Sequence, residues 1–243
     1  MICSELPTII VPARLASTRF PNKLLADAHG KPLILRTAER LKREAPEFEL
    51  FFAVDGDELF DLLTENGFSC VHTQAELPSG TDRIAQANQS LQRHAVINVQ
   101  ADEPLVCREH ILALVEGLQK DGADLATLAV PFKKIDHFND PNQVKVVLDR
   151  NGFALYFSRS PIPFDREGKE SSLACALKHL GMYGYKNSFL EIFSASGQGK
   201  LERIEKLEQL RALEMGCQIS VEVVKFDTVG VDIPSDLKKL NFA

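Results

Sequence analysis

The stretch TIIVPARLASTRFPNK, residues 8–23, begins with four apolar or β-branched residues and then becomes polar and basic. Its opening residues, Thr8 to Val11, predict a buried strand. Three cations and two hydroxyls follow within ten residues, directly after that strand, where open α/β sheets bind their ligands. Neither GxxxxGK(S/T) nor GxGxxG is present, so no standard phosphate fingerprint identifies the loop. A phosphate-binding loop and a solvated basic loop therefore both stay open.

Short apolar runs alternate with amphipathic stretches along the first half of the chain. Strands are predicted at 50–54, 68–73 and 95–100, and helices at 32–43, 58–65, 80–91 and 108–120. Pro32 suits the first turn of its helix because it lacks the amide hydrogen that would be left unbonded there. This order of elements predicts a mostly parallel sheet with helices on both faces.

The pattern changes after a further predicted strand at 124–130. Strands at 144–148 and 153–157 flank Asn151-Gly152, a dipeptide typical of a hairpin turn. The remaining predicted elements are strands at 178–185 and 219–226, helices at 188–195 and 207–215, and a loop at 160–172. The second half therefore adds antiparallel strands before the chain returns to the sheet, and one continuous α/β unit is expected.

Composition limits the classes of function. Hydrophobic residues make up 44% and charged residues 26% of the chain, as in ordinary globular proteins. The net charge of −6 argues against a nucleic-acid partner, which needs a basic face. The five cysteines are scattered without CxxC spacing, which is typical of reduced thiols in the cytoplasm. Neither a signal peptide nor a membrane span is expected.

Two acids stand where predicted strands or loops give way to helices. Asp102 lies in NVQADEP, after the strand at 95–100, and Asp232 lies in GVDIP. Carboxylates in such places can bind Mg²⁺, which prefers one or two of them together with substrate phosphates. Each acid could instead cap or open the next helix. Spacing alone leaves both interpretations open for Asp102 and favours helix entry for Asp232.

Further polar groups accompany helix starts and strands. Residues 79–83, SGTDR, open a helix and could cap it or bind an anion or a base edge. Alternation along the strand at 178–185 places four residues on one face: His179, Gly181, Tyr183 and Tyr185. In LEQLR the leucines form the core stripe of a helix, and Glu208 and Gln209 are expected to face solvent.

Seven segments, in chain order, together resemble the CMP-Kdo synthetase family, the 3-deoxy-manno-octulosonate cytidylyltransferases. They are PARLASTRFPNK, SGTDR, NVQADEP, YFSRSPIP, HLGMYGY, LEQLR and GVDIP. The resemblance implies a Rossmann-like nucleotidyltransferase fold, with a mostly parallel central sheet and antiparallel additions in the C-terminal half. It further implies a cytoplasmic, Mg²⁺-dependent homodimer that transfers CMP from CTP to the anomeric hydroxyl of a 3-deoxy-octulosonate sugar. Pyrophosphate is released, and the product serves lipopolysaccharide biosynthesis.

The same resemblance implies roles for particular residues. The nucleotide would be held by Ala13, Arg14, Ser17, Lys23, Ser79, Gly80 and Arg83. The sugar would be bound by Gln100, Arg159, His179, Tyr183, Glu208 and Gln209. Asp102 and Asp232 would bind Mg²⁺ and act in catalysis together with Lys23. The single domain, residues 1–243, would comprise a nucleotide-binding half (1–130), a sugar-binding and dimerisation insertion (131–226) and a return to the metal site (227–243).

One position departs from the family pattern, and two other classes of protein compete. The family commonly has Gly where this chain has Ala101, and a methyl group there would be strained if φ were positive. An 8-amino-Kdo or another keto-acid sugar therefore stays open as the acceptor. Asp55-Gly56-Asp57 superficially resembles the DxD motif of metal-dependent glycosyltransferases, although helix capping explains it better. A noncatalytic nucleotide-binding module is the third possibility.

Overall fold

The computed structural model describes residues 6–16, 20–168, 173, 175–231, 233–238 and 240. Two compact units make up the chain, the first formed by residues 1–111 with 228–243 and the second by residues 112–227. The organisation into a single domain with an insertion stays a prediction.

The secondary structure follows the α/β order along the chain. The strands are β1 Thr8–Ala13, β2 Leu50–Val54, β3 Ser69–His72, β4 Ala95–Asn98, β5 Leu125–Pro131, β6 Lys145–Leu148, β7 Ala154–Ser158, β8 Leu177–Lys186 and β9 Ile219–Val223. The helices are α1 Leu33–Glu44, α2 Asp57–Glu65, α3 Gly80–Leu91, α4 Arg108–Gln119, α5 Ile135–Asn139, α6 Asn187–Ala195, α7 Lys200–Glu205, α8 Gln209–Glu214 and α9 Pro234–Leu237. A short 3₁₀ helix covers Lys23–Leu25.

In the first unit, β3, β2, β1 and β4 pair in that order, and every pairing is parallel. All six residues of β1 are buried, because this strand has a neighbour on each side and apolar residues on both faces. Parallel pairing brings the carboxyl ends of these strands to one edge, so that Ala13 lies opposite Val54 and Ile10 opposite Asn98. The segments that carry Arg14, Lys23 and Asp102 follow strands at this edge.

In the second unit, β5 pairs antiparallel with β8 and parallel with β9, while β6 pairs antiparallel with β7 and β8. The β6–β7 connection is the hairpin predicted from Asn151-Gly152. Gly152 has a φ of +79°, which glycine adopts without strain. The carboxylate of Asp149 accepts the amide hydrogens of Asn151 and Phe153, both at 2.8 Å, and so closes the turn.

The strand pairings confirm the predicted α/β class, mostly parallel in the first unit with antiparallel additions in the second. Three short helical elements were not predicted: the 3₁₀ helix at Lys23, α5 and α7. Helix α8 begins at Gln209 rather than at 207, because Glu208 is its N-cap. No helix in the described part of the chain is long and apolar enough to cross a membrane.

A buried ion pair joins α7 to α8 in the second unit. The guanidinium of Arg211 donates two hydrogen bonds, of 2.8 and 2.7 Å, to the carboxylate of Glu202. Only 4% and 6% of the two side chains are exposed. The guanidinium also lies 4.2 Å above the ring of Phe193. The pair therefore fixes the helix on which Gln209 stands.

Replacing Arg211 with Met should lower the free energy of unfolding by about 3–5 kcal/mol, because it leaves the Glu202 carboxylate buried and unpaired. Urea unfolding at pH 7 measures this loss. The exposed pair Lys31–Glu39 supplies the control, since Lys31→Met should cost about 1 kcal/mol or less. A loss for Arg211→Met no larger than that of the control would contradict the role given to the pair.

Candidate active site

Three segments of the first unit meet at the carboxyl edge of its sheet. A methyl group added at Gly80 would lie 3.4 Å from Cγ of Pro12 and 3.9 Å from Oε1 of Gln100. The start of α3, the end of β1 and the loop after β4 are therefore in close contact. Ala13 is buried beside Pro12, whereas Arg14 is exposed. Gln100, predicted to bind sugar, belongs to this unit and donates from Nε2 to Oδ1 of Asn98 over 3.3 Å.

Lys23 and Asp102 form an ion pair at this edge. The ammonium of Lys23 donates to Oδ2 of Asp102. The side chains are 13% and 26% exposed, so both are reachable from solvent at one end. Two residues predicted to act in catalysis thus neutralise each other here.

The C-terminal segment also reaches Asp102. The amide of Val231 donates to the backbone carbonyl of Asp102 over 3.1 Å. A methyl group at Gly230 would lie 3.0 Å from Oε1 of Glu103, so a side chain at residue 230 would crowd this contact. Asp232 itself, the second predicted metal ligand, lies outside the described residues, as does Ser17 of the predicted phosphate loop.

Arg83 is the most buried cation of the predicted nucleotide set, with 2% of its side chain exposed. Nη1 donates to the hydroxyl of Thr73, and Nη2 lies 3.8 Å from Oδ2 of Asp55. Burial lowers the pKa of Arg83, the charge of Asp55 opposes that shift, and the charge of Arg14 adds to it. Nη2 makes no hydrogen bond with any described residue, and a buried donor left unbonded is costly. Nη2 is therefore ion-paired with Asp55 but still has hydrogens available for a hydrogen bond.

Helix capping accounts for the SGTDR motif but not for the DGD motif, because the N-cap of α2 is Gly56 and it has no side-chain cap. Ser79 is the N-cap of α3, where its hydroxyl accepts the amide of Asp82 at 3.1 Å and donates to the Asp82 carboxylate at 2.5 Å. In the DGD motif, Asp55 faces Arg83, and Asp57 is an exposed residue in the first turn of α2. Acids there are favourable for the helix dipole. The arrangement gives Asp55 a counter-ion role.

A polar pocket of about 290 Å³ lies in the second unit. It contains four of the residues predicted to bind the sugar: His179, Tyr183, Glu208 and Gln209. Gly181, which the strand alternation placed beside His179, also lines it, and so do four polar residues that sequence reasoning did not select: Asn142, Gln143, Lys178 and Lys206. A concave polar site with a few convergent groups is typical of small-molecule binding.

Gln209 is buried rather than facing solvent, with 5% of the residue exposed. Its Nε2 has no hydrogen-bond partner among the described residues. Leaving a buried amide hydrogen unbonded costs about 1–3 kcal/mol, so the pocket has an open donor for a ligand oxygen.

His179 and Tyr183 are neutral groups in this pocket. The His179 ring packs edge-on against Phe157 at 5.0 Å and lies 5.5 Å from the ring of Tyr183. Burial lowers the pKa of His179 to about 3. Burial, with smaller contributions from Tyr185 and Glu208, raises the pKa of Tyr183 well above 10. Both side chains therefore offer hydrogen bonds rather than charge near neutral pH.

Arg159 is not among the residues that line this pocket. Its guanidinium donates to the carbonyls of Pro141, Glu205 and Lys206, at 3.0, 2.7 and 3.4 Å. These carbonyls flank the lining residues Asn142 and Lys206. Arg159 therefore braces two segments of the pocket wall, and direct contact with a sugar carboxylate stays a prediction.

Lys145 is a second buried cation behind the same wall, and no motif pointed to it. It is fully buried, and its ammonium donates to the carbonyls of Asp140, Gln143 and Arg159, at 2.9, 2.9 and 2.6 Å. All three ammonium hydrogens are thus used. Burial lowers the pKa of Lys145. The lysine joins the loop before β6 to the end of β7.

A parallel sheet with a cation–acid pair and an open guanidinium at its carboxyl edge is an arrangement suited to a nucleotidyltransferase. A family model described as cytidylyltransferase matches residues 8–221. The chain belongs to this cytidylyltransferase family and is an enzyme of the nucleotidyltransferase class.

Individual relatives are similar over nearly the whole chain. A 3-deoxy-manno-octulosonate cytidylyltransferase of Syntrophobacter fumaroxidans is 48% identical over 233 residues, covering 94% of this chain and 93% of that protein. One of Thermodesulfovibrio yellowstonii is 42% identical over 240 residues, covering 94% of each. A solved structure of CMP:2-keto-3-deoxy-manno-octonic acid synthetase complexed with CTP has a TM-score of 0.89 and 34% identity, covering 97% of this chain and 96% of that one.

Ala101, the departure from the family pattern, is accommodated without backbone strain. It is not among the described non-glycine residues with positive φ, and it is buried. Its carbonyl accepts the hydroxyl of Thr37 on α1 at 2.8 Å. The methyl group therefore gives no reason for an altered acceptor.

The lowered pKa of His179 should make the protein less stable in mild acid. The His179 ring is protonated only near pH 3 in the folded state, but near pH 6.5 in the unfolded chain. The stabilising contribution of the neutral ring is therefore complete above pH 6.5 and is lost as the pH falls below that value. Between pH 7 and pH 5 this residue should account for about 2 kcal/mol of lost unfolding free energy. Urea unfolding of parent and His179→Gln at both values measures the difference.

The variant should lose about 2 kcal/mol less than the parent over that interval. His137→Gln, at an exposed position in α5, should follow the parent. Equal losses in all three proteins would contradict the assignment of His179 as a neutral buried ring.

Proposed function

We propose that this enzyme transfers CMP from CTP to the anomeric hydroxyl of 3-deoxy-manno-octulosonate (Kdo), releasing pyrophosphate, as a step of lipopolysaccharide biosynthesis. The observation that carries the proposal is the pocket of the second unit, which collects His179, Tyr183, Glu208 and Gln209. The relatives described above, 48% and 42% identical to this chain, are 3-deoxy-manno-octulosonate cytidylyltransferases. The open amide of Gln209 and the neutral rings suit a ligand rich in hydroxyls.

The nucleotide is assigned to the sheet edge of the first unit. The structural relative named above is a complex with CTP, which supports placing that nucleotide here. Lys23 and Arg14 neutralise phosphate charge, and Arg83 offers its free N–H to the nucleoside. Ser17 is assigned to the phosphates on the resemblance alone. Attack at the α-phosphorus needs in-line alignment more than covalent chemistry, which fits a site made of positioning and neutralising groups.

Mg²⁺ is the cofactor we assign to Asp102, with Asp232 as its second carboxylate. The donor set fits, because Asp102 offers a partly exposed carboxylate at the sheet edge and Mg²⁺ takes few protein oxygens beside substrate phosphates. When bound, the ion polarises phosphoryl oxygens and lowers the pKa of a bound hydroxyl. Lys23 is then free to leave Asp102 and donate to the departing pyrophosphate. The assignment of Asp232 rests on the resemblance, and the described support is the hydrogen bond from the amide of Val231 to the carbonyl of Asp102.

The acceptor carboxylate is assigned to Arg159, with Gln100 as a further sugar contact. Three of the five N–H groups of Arg159 are bonded to carbonyls, so donors remain for a carboxylate. The exposed ammonium of Lys206 adds positive charge at the pocket. An acidic sugar is therefore favoured over a neutral one.

The direct test is pyrophosphate release with CTP, UTP and ATP, each paired with Kdo, 8-amino-Kdo or another keto-acid sugar, with and without Mg²⁺. Release should require CTP, Kdo and Mg²⁺ together. Release without any sugar, or none under every pairing, would refute the proposal. If the enzyme prefers 8-amino-Kdo, CMP transfer stands as the reaction but the acceptor sugar is 8-amino-Kdo instead of Kdo.

Asp102→Asn should reduce kcat at least about a thousandfold, because an amide is a poor ligand for a hard cation. Asparagine can still accept from Lys23, so the fold should be kept, which circular dichroism checks. Asp61→Asn, at an exposed site on α2, is the control and should keep parent turnover. Near-normal kcat in Asp102→Asn would reject the metal role.

Arg159→Ala should raise the KM for the sugar at least about tenfold while the KM for CTP stays within about twofold, since about 1.4 kcal/mol of binding is lost per factor of ten. Steady-state kinetics with each substrate varied in turn measures both constants. Arg166→Ala, an exposed arginine in the loop after β7, should behave as the parent. The reverse pattern would place Arg159 on the nucleotide.

The homodimer and the cytoplasmic location are proposals that rest on the resemblance. Large apolar side chains are exposed on the second unit, among them Leu155, Phe164 and Ile204, and exposed apolar surface supports an interface. Light scattering should give twice the mass of the chain, and a monomer at micromolar concentration would refute the dimer.

A further inference from the structure

The ladder between β5 and β8 is interrupted beside the pocket. Leu128 lies opposite Leu180, but Thr127 lies opposite Tyr183. Gly181 and Met182 are therefore extra residues in β8, as in a bulge. Bulges are common next to active sites, where they redirect side chains. Here the bulge separates His179 from Tyr183, both of which line the pocket.

The hydroxyl of Thr127 lies within this irregularity and is fully buried. Its Oγ1 is 2.8 Å from the carbonyl of Met182 and 2.9 Å from Nε2 of His179. A longer contact of 3.3 Å joins it to the carbonyl of Leu180. One hydroxyl thus has two close partners but only one hydrogen to donate.

Counting hydrogens decides the direction of both bonds. A carbonyl oxygen can only accept, so the Thr127 hydrogen goes to Met182. If that hydrogen pointed to His179 instead, lone pairs of Thr127 Oγ1 and of the Met182 carbonyl oxygen would face each other across 2.8 Å. The short contact between Oγ1 and Nε2 then needs a hydrogen on the ring nitrogen. His179 therefore donates from Nε2 to Thr127.

The other ring nitrogen is left as an acceptor. The ring is neutral because burial holds the pKa of His179 at about 3, and a neutral imidazole carries one hydrogen. With Nε2 protonated, Nδ1 has a free lone pair. No described residue forms a hydrogen bond with Nδ1, although His179 borders the pocket.

We propose that Thr127 is a positioning residue that holds His179 as the Nε2–H tautomer, so that Nδ1 accepts a hydrogen bond from a hydroxyl of the bound sugar. The sugar part of this assignment rests on the proposed function, whereas the tautomer does not. His179 acts as a fixed acceptor and transfers no proton. Thr127 does not touch the sugar and works through the ring.

The tautomer is read by ¹⁵N NMR of the uniformly labelled full-length enzyme without substrates at pH 7. Correlations to the ring carbon hydrogens of His179, assigned with His179→Gln, should show Nε2 protonated and Nδ1 unprotonated. Protonation of Nδ1 instead, or of both nitrogens, would overturn the proposal. Because no sugar is present, this result is independent of whether the enzyme uses Kdo.

Two variants test the link to binding. Thr127→Val keeps the shape but removes the acceptor, so the Nε2–H signature should be lost and the KM for the sugar should rise about tenfold. The KM for CTP should stay within about twofold. Thr127→Ser keeps the hydroxyl and should restore both the tautomer and the sugar KM.

An unchanged sugar KM in folded Thr127→Val, or an unchanged tautomer, would overturn the role of Thr127. If Thr127→Val does not fold, the parent and Thr127→Ser spectra still decide the tautomer. A parent with the Nε2–H tautomer but without CMP transfer to any sugar would refute the proposed function and leave the tautomer standing.

Discussion

Parallel pairing of β2, β1 and β4 is the constraint on which the nucleotide side of this enzyme depends. Because the strands run the same way, their carboxyl ends lie at one edge, and residues distant in sequence meet there. Lys23 follows β1 and Asp102 follows β4, and the fold places the two charges in contact. The amide of Val231 adds the C-terminal segment at Asp102. In the proposed function, Lys23 and Asp102 neutralise each other until a metal-bound nucleotide takes over both charges.

The second unit leaves some hydrogen-bonding groups available in its pocket, while the polar groups of the pocket wall bond to one another. Buried Lys145 and partly buried Arg159 donate to backbone carbonyls, and these bonds stiffen the wall of the pocket. Other groups in the pocket keep hydrogen-bonding capacity for a ligand. These are the neutral rings of His179 and Tyr183 and the unbonded amide of Gln209. A polar group left open inside a rigid wall is pre-organised for a ligand, which reduces the ordering cost of binding.

Sequence predicted the helices and strands well where periodicity is strong, whereas the roles of the site residues stay predictions. The strand at 50–54 and the helix at 80–91 have the bounds predicted for them, because each is bordered by a clear turn or cap. Helix α7 was missed, since its stability comes from the buried Glu202–Arg211 pair rather than from an apolar stripe. Lys145 was missed for a similar reason, because its three carbonyl partners come together only in the folded chain. Gln209 was expected at the surface but is buried, and no local pattern in the sequence reveals that burial.

The central claim is that the sheet edge of the first unit binds CTP through a metal held by Asp102. Calorimetric titration of CTP with and without Mg²⁺, in the parent and in Asp102→Asn, tests this most directly. Mg²⁺ should tighten CTP binding by the parent at least about tenfold and should tighten binding by the variant far less. Equal tightening in both proteins would contradict the account.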